Sequence, residues 1–153
     1  MDAKVLSLAV VLGFLSVVYS QKLKWKVCDN SKYEGVVAAV DTNATITDGE
    51  AYLKRGTSVA FDVSFKTNVD VTSATAVVHG EIAGVDVPFP LDNPNACKDC
   101  GLTCPLKTGI GYKYAAVIPV KSMYPTVRLV VKWQLNDDKG NKVWCVELPA
   151  DIK

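Results

Sequence analysis

Apolar residues recur at every second position along most of this chain, which is the period of a strand with one buried face. Val59, Phe61, Val63 and Phe65 alternate with Ala60, Asp62, Ser64 and Lys66. Val127, Leu129, Val131, Trp133 and Leu135 alternate with Arg128, Val130, Lys132 and Gln134, and Trp144, Val146 and Leu148 alternate with Cys145 and Glu147. Thr75 to Ile82 is rich in strand-forming residues, with His79 and Glu81 off the apolar phase, and Tyr112, Tyr114 and Ile118 mark a further strand. No segment holds a helical period over about ten residues. Asp48-Gly49, Arg55-Gly56, Ala83-Gly84 and Asp138 to Asn141 put glycine where tight turns need it, and Asn136 to Asn141 reads as a hairpin tip joining the last two strands. About seven short strands separated by such turns predict an all-β fold, an antiparallel β-sandwich of two sheets.

The N-terminus departs from this pattern. Met1 to Lys4 carries one cation, Val5 to Val18 is nearly all apolar, and Val18-Tyr19-Ser20 offers small residues before the polar Gln21. This is the pattern of a secretory signal peptide covering 1–20, which leaves 21–153 as a single domain. An apolar run of roughly 14 residues is too short for a transmembrane anchor, which needs about 20.

Composition narrows the functions. Seventeen Lys and Arg against sixteen Asp and Glu give a net charge of +1. So balanced a charge creates no field to gather phosphates, and nucleic acid is not an expected partner. The five cysteines are Cys28, Cys97, Cys100, Cys104 and Cys145. In a secreted chain most should be in disulfides, and the odd number leaves at least one without an intramolecular partner. A Cys28–Cys145 bridge would tie the first strand to the last, closing a loop of about 117 residues that the chain-entropy model values at about 4 to 5 kcal/mol. A Cys97–Cys104 bridge would pin a short loop with Cys100 left inside it. Spacing alone does not rank it above Cys100–Cys104. Zinc is disfavoured, because Cys97 and Cys100 make only half a site and the rest lie far off in sequence. No metal and no cofactor is expected.

Catalytic sets are missing as well. The lone histidine, His79, lies on the polar phase of a strand and reads as a surface or hydrogen-bonded residue. Asp99, Asp137 and Asp138 fall in predicted turns, where Asp is expected for backbone reasons. There is no phosphate loop and no nucleophile elbow, so the expectation is a protein that is not an enzyme. Two stiff apolar segments stand out instead. In Val87-Pro88-Phe89-Pro90 the prolines bar Phe89 from a central ladder, which suits the lip of a pocket. Lys121 to Pro125 is the second. The alternative use of Phe89, Tyr124 and Trp133 is plain core filling, the usual role of aromatic residues on an apolar strand face.

These segments carry a family resemblance. Ala76 to Gly80, Gly84 to Pro90, Pro119 to Pro125, Leu129 to Leu135, and Cys145 with Glu147-Leu148-Pro149 resemble the secreted Niemann–Pick type C2 proteins of the lipid-recognition (ML) domain superfamily. Asn95 to Cys97 and Cys104 to Leu106 resemble the group 2 mite allergens of the same superfamily. The resemblance spans nearly all of 21–153. It implies an immunoglobulin-like sandwich with an apolar cavity between the sheets, holding a sterol or related lipid and passing it to a membrane or to a Niemann–Pick type C1-like membrane acceptor. Residues matching the family pocket are Phe89, Val120, Tyr124, Pro125 and Trp133, with Phe89 and Tyr124 at the mouth; Phe61, Val78 and Val131 join them from strand phase alone. The resemblance supports the pairings Cys28–Cys145 and Cys97–Cys104, leaving Cys100 unpaired. The expectation is a monomer, secreted or held in the lysosomal lumen, that makes transient membrane contact.

Some features depart from the vertebrate pattern. The third disulfide is missing between Asp41 and Arg55, the cysteine loop is one residue longer, and Trp144 precedes Cys145 where a tryptophan after it is common. The glycosylation sequon is Asn43-Ala44-Thr45, while Asp62 stands where vertebrate members often carry a glycan. Two rival readings follow: an extracellular carrier of fatty acids or chemical signals in an arthropod, and an innate-immune protein that recognises microbial lipids.

Overall fold

In the computed structural model, which describes Gly13 and residues 21–29 and 32–153, the described residues form ten strands and no helix. They are β1 (Lys26–Val27), β2 (Gly35–Thr42), β3 (Ile46–Thr47), β4 (Glu50–Leu53), β5 (Thr57–Thr67), β6 (Ala74–Ile82), β7 (Val85–Pro88), β8 (Gly111–Val120), β9 (Arg128–Asp137) and β10 (Lys142–Ile152). The signal segment expected over 1–20 lies outside the described residues, apart from Gly13.

Two sheets face each other. The larger runs β3-β4-β10-β9-β6-β7, with β1 also paired to β10, and the smaller runs β2-β5-β8. The period-two segments become β5, β6, β8, β9 and β10. The strands beyond the expected seven are short ones, too brief for a period to announce them. β2 was hidden for another reason. It is apolar on both phases from Val36 to Val40, and a bulge between Val37 and Ala39 breaks its alternation.

Turn chemistry behaves as its residues dictate. Asp48 and Gly49 both have positive φ in the two-residue connection of β3 to β4, and Ala83 and Gly84 do the same between β6 and β7. This is the turn whose twist matches paired strands. In β10, Pro149 falls between Glu147, the end of the pairing with β1, and Ala150, the start of the parallel pairing with β4. A residue without an N–H is tolerated there because β10 changes outer partner at that point.

The space between the sheets divides in two. One half is packed with rings that reach from sheet to sheet. Phe61 meets Trp133 at 5.6 Å, Tyr114 meets Trp133 and Trp144 at 5.8 Å each, and Phe65 meets Trp144 at 5.9 Å. Most of these contacts are edge-on or tilted, the arrangement that ring quadrupoles prefer. At this closed end Gly35 lets the sheets come so near that a Cβ there would stand 3.0 Å from the Val143 carbonyl oxygen of the facing sheet, and 2.7 Å from the Lys66 carbonyl oxygen of its own. Cys28–Cys145 and Cys97–Cys104 are both formed, and Cys100 is unpaired and buried. The other half of the interior is aliphatic, and it is not filled.

Candidate functional site

The unfilled half is a cavity of about 670 Å³. Its walls are inward-facing strand residues: Val59 and Phe61 from β5, Val78 from β6, Ala116, Ile118 and Val120 from β8, and Leu129 and Val131 from β9, closed below by Leu53 and Ile152. Such a volume lies within the range of small-molecule sites. Phe61 is the boundary between the two halves: it lines the cavity while its ring leans on Trp133.

The mouth is a slot between the free edges of the two sheets. On one side, Phe89 N–H donates to the Val78 carbonyl at 3.0 Å, continuing the β7 pairing by one residue. The chain then stays on the edge of β6, where Ala76 N–H donates to Pro94 O and Ala96 N–H to Ala74 O. This fixes the stiff Pro88-Phe89-Pro90 segment, and the Phe89 ring lies over Gly80, which has no side chain to obstruct it. On the outer face Lys132 of β9 reaches Glu81 at 3.1 Å and Asp86 at 3.3 Å, tying edge strand β7 down behind the lip. These carboxylates, through hydrogen bonds first, hold the Lys132 ammonium above its ordinary value. On the other side are β8 and the turn after it. Tyr124 crosses to Phe89, their rings 5.3 Å apart and nearly perpendicular, while Arg55 donates to the carbonyls of Ser122 and Tyr124 behind it.

The residues expected in the pocket divide accordingly. Phe61, Val78, Phe89, Val120, Tyr124 and Val131 line the cavity. Trp133 and Pro125 do not line it. Trp133 is buried one layer back, between Phe61 and Tyr114, and Pro125 is exposed beyond the lip. Trp133 shares the phase of Val131, but the facing sheet fills the space above it with rings. Leu53, Val59, Ala116, Ile118, Leu129 and Ile152 line the walls without having been expected there. Leu129 and Ile118 were legible from strand phase, whereas Leu53 and Ile152 come together only through the parallel β4–β10 pairing.

Polar groups gather at the slot. Asp62, Asp92, Asn93, Lys98 and Lys121 belong to its surround, and Asn93 donates to the Cys100 sulfur at 3.5 Å. Burial, with Asp99 nearby, pushes the Cys100 thiol up, so it stays protonated and a poor nucleophile. His79 also contributes to the lining. Among the described residues no group of three His, Cys, Asp or Glu side chains is placed to hold a metal ion, and no helix is long and apolar enough to cross a membrane. Asn43 is exposed, and its Oδ1 accepts the Ala60 N–H at 2.9 Å.

Comparison with known proteins agrees with this architecture. The ML domain family model matches residues 22–152. NPC intracellular cholesterol transporter 2 homolog a of Drosophila melanogaster is 39% identical over 145 residues, covering 95% of this chain and 97% of that protein. NPC intracellular cholesterol transporter 2 of Mus musculus is 34% identical over 143 residues, covering 94% and 93%. The crystal structure of a Niemann–Pick type C2 protein from Japanese carpenter ant superposes with a TM-score of 0.78 at 29% identity, covering 84% of this chain and 98% of that one.

Proposed function

This chain belongs to the ML domain family, and from that premise we propose that it is a secreted, non-enzymatic carrier that holds a sterol or similar lipid between its sheets and hands it to a membrane or acceptor. One observation carries this reading: a cavity of about 670 Å³ walled by aliphatic side chains in the half of the sandwich that the rings leave empty. Burying several hundred Å² of apolar surface there, at about 25 cal/mol per Å², is worth several kcal/mol before the cost of lost motion. The walls select for shape and apolarity. The cholesterol transporters of fly and mouse among its relatives support a sterol as the guest.

Phe61, Val78, Val120 and Val131 form the walls in this reading, and Phe89 and Tyr124 the lip. Trp133 acts from behind Phe61. Handover needs contact, because a bare sterol leaves slowly for water. The rim is suited to contact: Val85 and Val87 on β7 and Met123 beyond β8 are exposed, Met123 by 84%, with Lys121 beside it. A Niemann–Pick type C1-like membrane protein is the acceptor to test. The segment 1–20 would direct export and 21–153 would be the carrier domain, acting outside the cell or in the lysosomal lumen.

Mass spectrometry of lipids extracted from the natively purified protein tests the reading. A stoichiometric sterol is the expected result. Fatty acids or microbial lipids in its place would favour the rival carriers, and no lipid together with no uptake of a fluorescent sterol would overturn the reading.

A further inference from the structure

The lip formed by β8 is a strand edge, and the register says which backbone groups face out of the ladder. On β5, Ala60 directs its N–H to Asn43 Oδ1 and its C=O to Thr42 Oγ1 and the Asn43 N–H, all on the β2 side. In an antiparallel strand both backbone groups of a residue point the same way, and the side alternates. Val59, Phe61 and Val63 therefore bond towards β8, to their partners Ile118, Ala116 and Tyr114. Ala115, Val117 and Pro119 then point their backbone groups away from β5. Ala115 follows this rule: its N–H donates outward to Cys100 O at 2.8 Å. Beyond that bond, among the described residues, the Val117 N–H and the carbonyls of Ala115, Val117 and Pro119 have no partner.

Ala115 through Pro119 all line the cavity, from both side-chain phases, because the strand presents this edge to the slot. In the empty protein, water serves these groups. A guest that fills the slot removes that water, and a purely hydrocarbon guest offers nothing in exchange. The edge is also too short for a peptide strand to pair with it. Cys100 O covers one end and Pro119 has no N–H at the other, so a single donor remains, at Val117.

We propose that the bare β8 edge is the head-group site of the cavity, where Val117 N–H donates to the lipid's polar group and the Ala115 or Val117 carbonyl accepts from it. The class of ligand is thereby a lipid with one neutral group that both accepts and donates, such as a hydroxyl, recognised by main chain. This rests on the carrier reading above. It makes the head group a positive determinant of binding.

The test compares cholesterol with cholestane, which has the same ring system and tail without the hydroxyl, together with amide exchange at Val117 followed by NMR. Cholesterol should bind about three- to tenfold more tightly than cholestane, the effect of one or two such hydrogen bonds. Exchange at Val117 should slow with cholesterol bound and not with cholestane. Val117→Pro removes the donor without touching the β5 ladder, as Pro119 already does two residues on, and should bring the two affinities to within about twofold of each other. Equal affinities in the wild type, or no cholesterol-specific slowing at Val117, would overturn the inference while leaving the carrier reading intact. Binding of neither ligand would overturn both.

Discussion

The Phe89 ring occupies the space that a side chain on Gly80 would take: a Cβ built on Gly80 would stand 2.5 Å from Phe89 Cε2 and 2.9 Å from Leu129 Cδ1. The lip of the cavity is therefore set by a missing side chain on the strand beneath it. Gly80→Ala should push Phe89 off β6 and lower stability by about 1–3 kcal/mol, as overpacking does. Urea denaturation measures the loss, and an unchanged midpoint would mean that the ring moves aside freely.

Phe89→Ala should open the slot. Losing the perpendicular contact with Tyr124, worth about 0.5–1.5 kcal/mol, should speed lipid release by about two- to twelvefold. Stopped-flow release of a fluorescent sterol reads this directly. Wild-type release from a folded variant would remove Phe89 from the lip.

Trp133 and Tyr114 test the filled half. Trp133→Ala removes the support behind Phe61 and should cost about 3–5 kcal/mol. Tyr114→Phe should change stability by no more than about 1 kcal/mol, because the buried Tyr114 hydroxyl faces only the Cys100 thiol and the Trp133 indole and makes no well-aligned hydrogen bond to either. Burial also drives its pKa upward, consistent with a hydroxyl that stays neutral. A marked loss of stability in Tyr114→Phe would mean that a partner, such as an ordered water, serves the hydroxyl.

Cys28 and Cys145 lie 117 residues apart in sequence and join β10 to the chain just after β1. Replacing both with Ala should cost about 4–5 kcal/mol in the chain-entropy account. The denaturation midpoints of the two proteins should differ accordingly, and near-equal midpoints would show that the β1–β10 pairing holds without the bridge.

Acidification should act through Glu34 and Asp137. Burial first, and then the facing Asp137 carboxyl, raise the Glu34 carboxyl above its ordinary value. Burial alone would raise Asp137 too, but bonds from Glu34 and from the N–H groups of Asn141 and Lys139 hold it low. A raised carboxyl binds its proton more readily in the folded state, so its contribution is complete below the unfolded value and is lost as pH rises through the folded one. The Asp137 contribution runs the other way, present above its unfolded value and lost as pH falls through the lowered one. Between about pH 7 and about pH 5 the Glu34 contribution should therefore increase stability on acidification, and Glu34→Gln should remove that increase. Urea midpoints at the two pH values check this, and an unaltered pH slope in the variant would assign the proton elsewhere.

By itself the sequence determined which residues face inward. Alternation at Val59 to Phe65 and at Leu129 to Leu135 follows from strand geometry, since a side chain on the wrong phase would leave apolar surface in water. The turns were legible for a similar local reason, positive φ at Asp48-Gly49 and Ala83-Gly84. The resemblance to lipid-recognition proteins added the cavity and the lip. Tertiary structure alone decided how deep each inward residue lies. Val131 and Trp133 share one phase of β9, yet one lines the void and the other is sealed behind Phe61, because a hollow is a mismatch between two facing surfaces and each strand encodes only one of them. The open β8 edge was decided in the same way. Whether Val117 N–H finds a partner depends on where strands from distant parts of the chain come to rest, and periodicity carries no record of that.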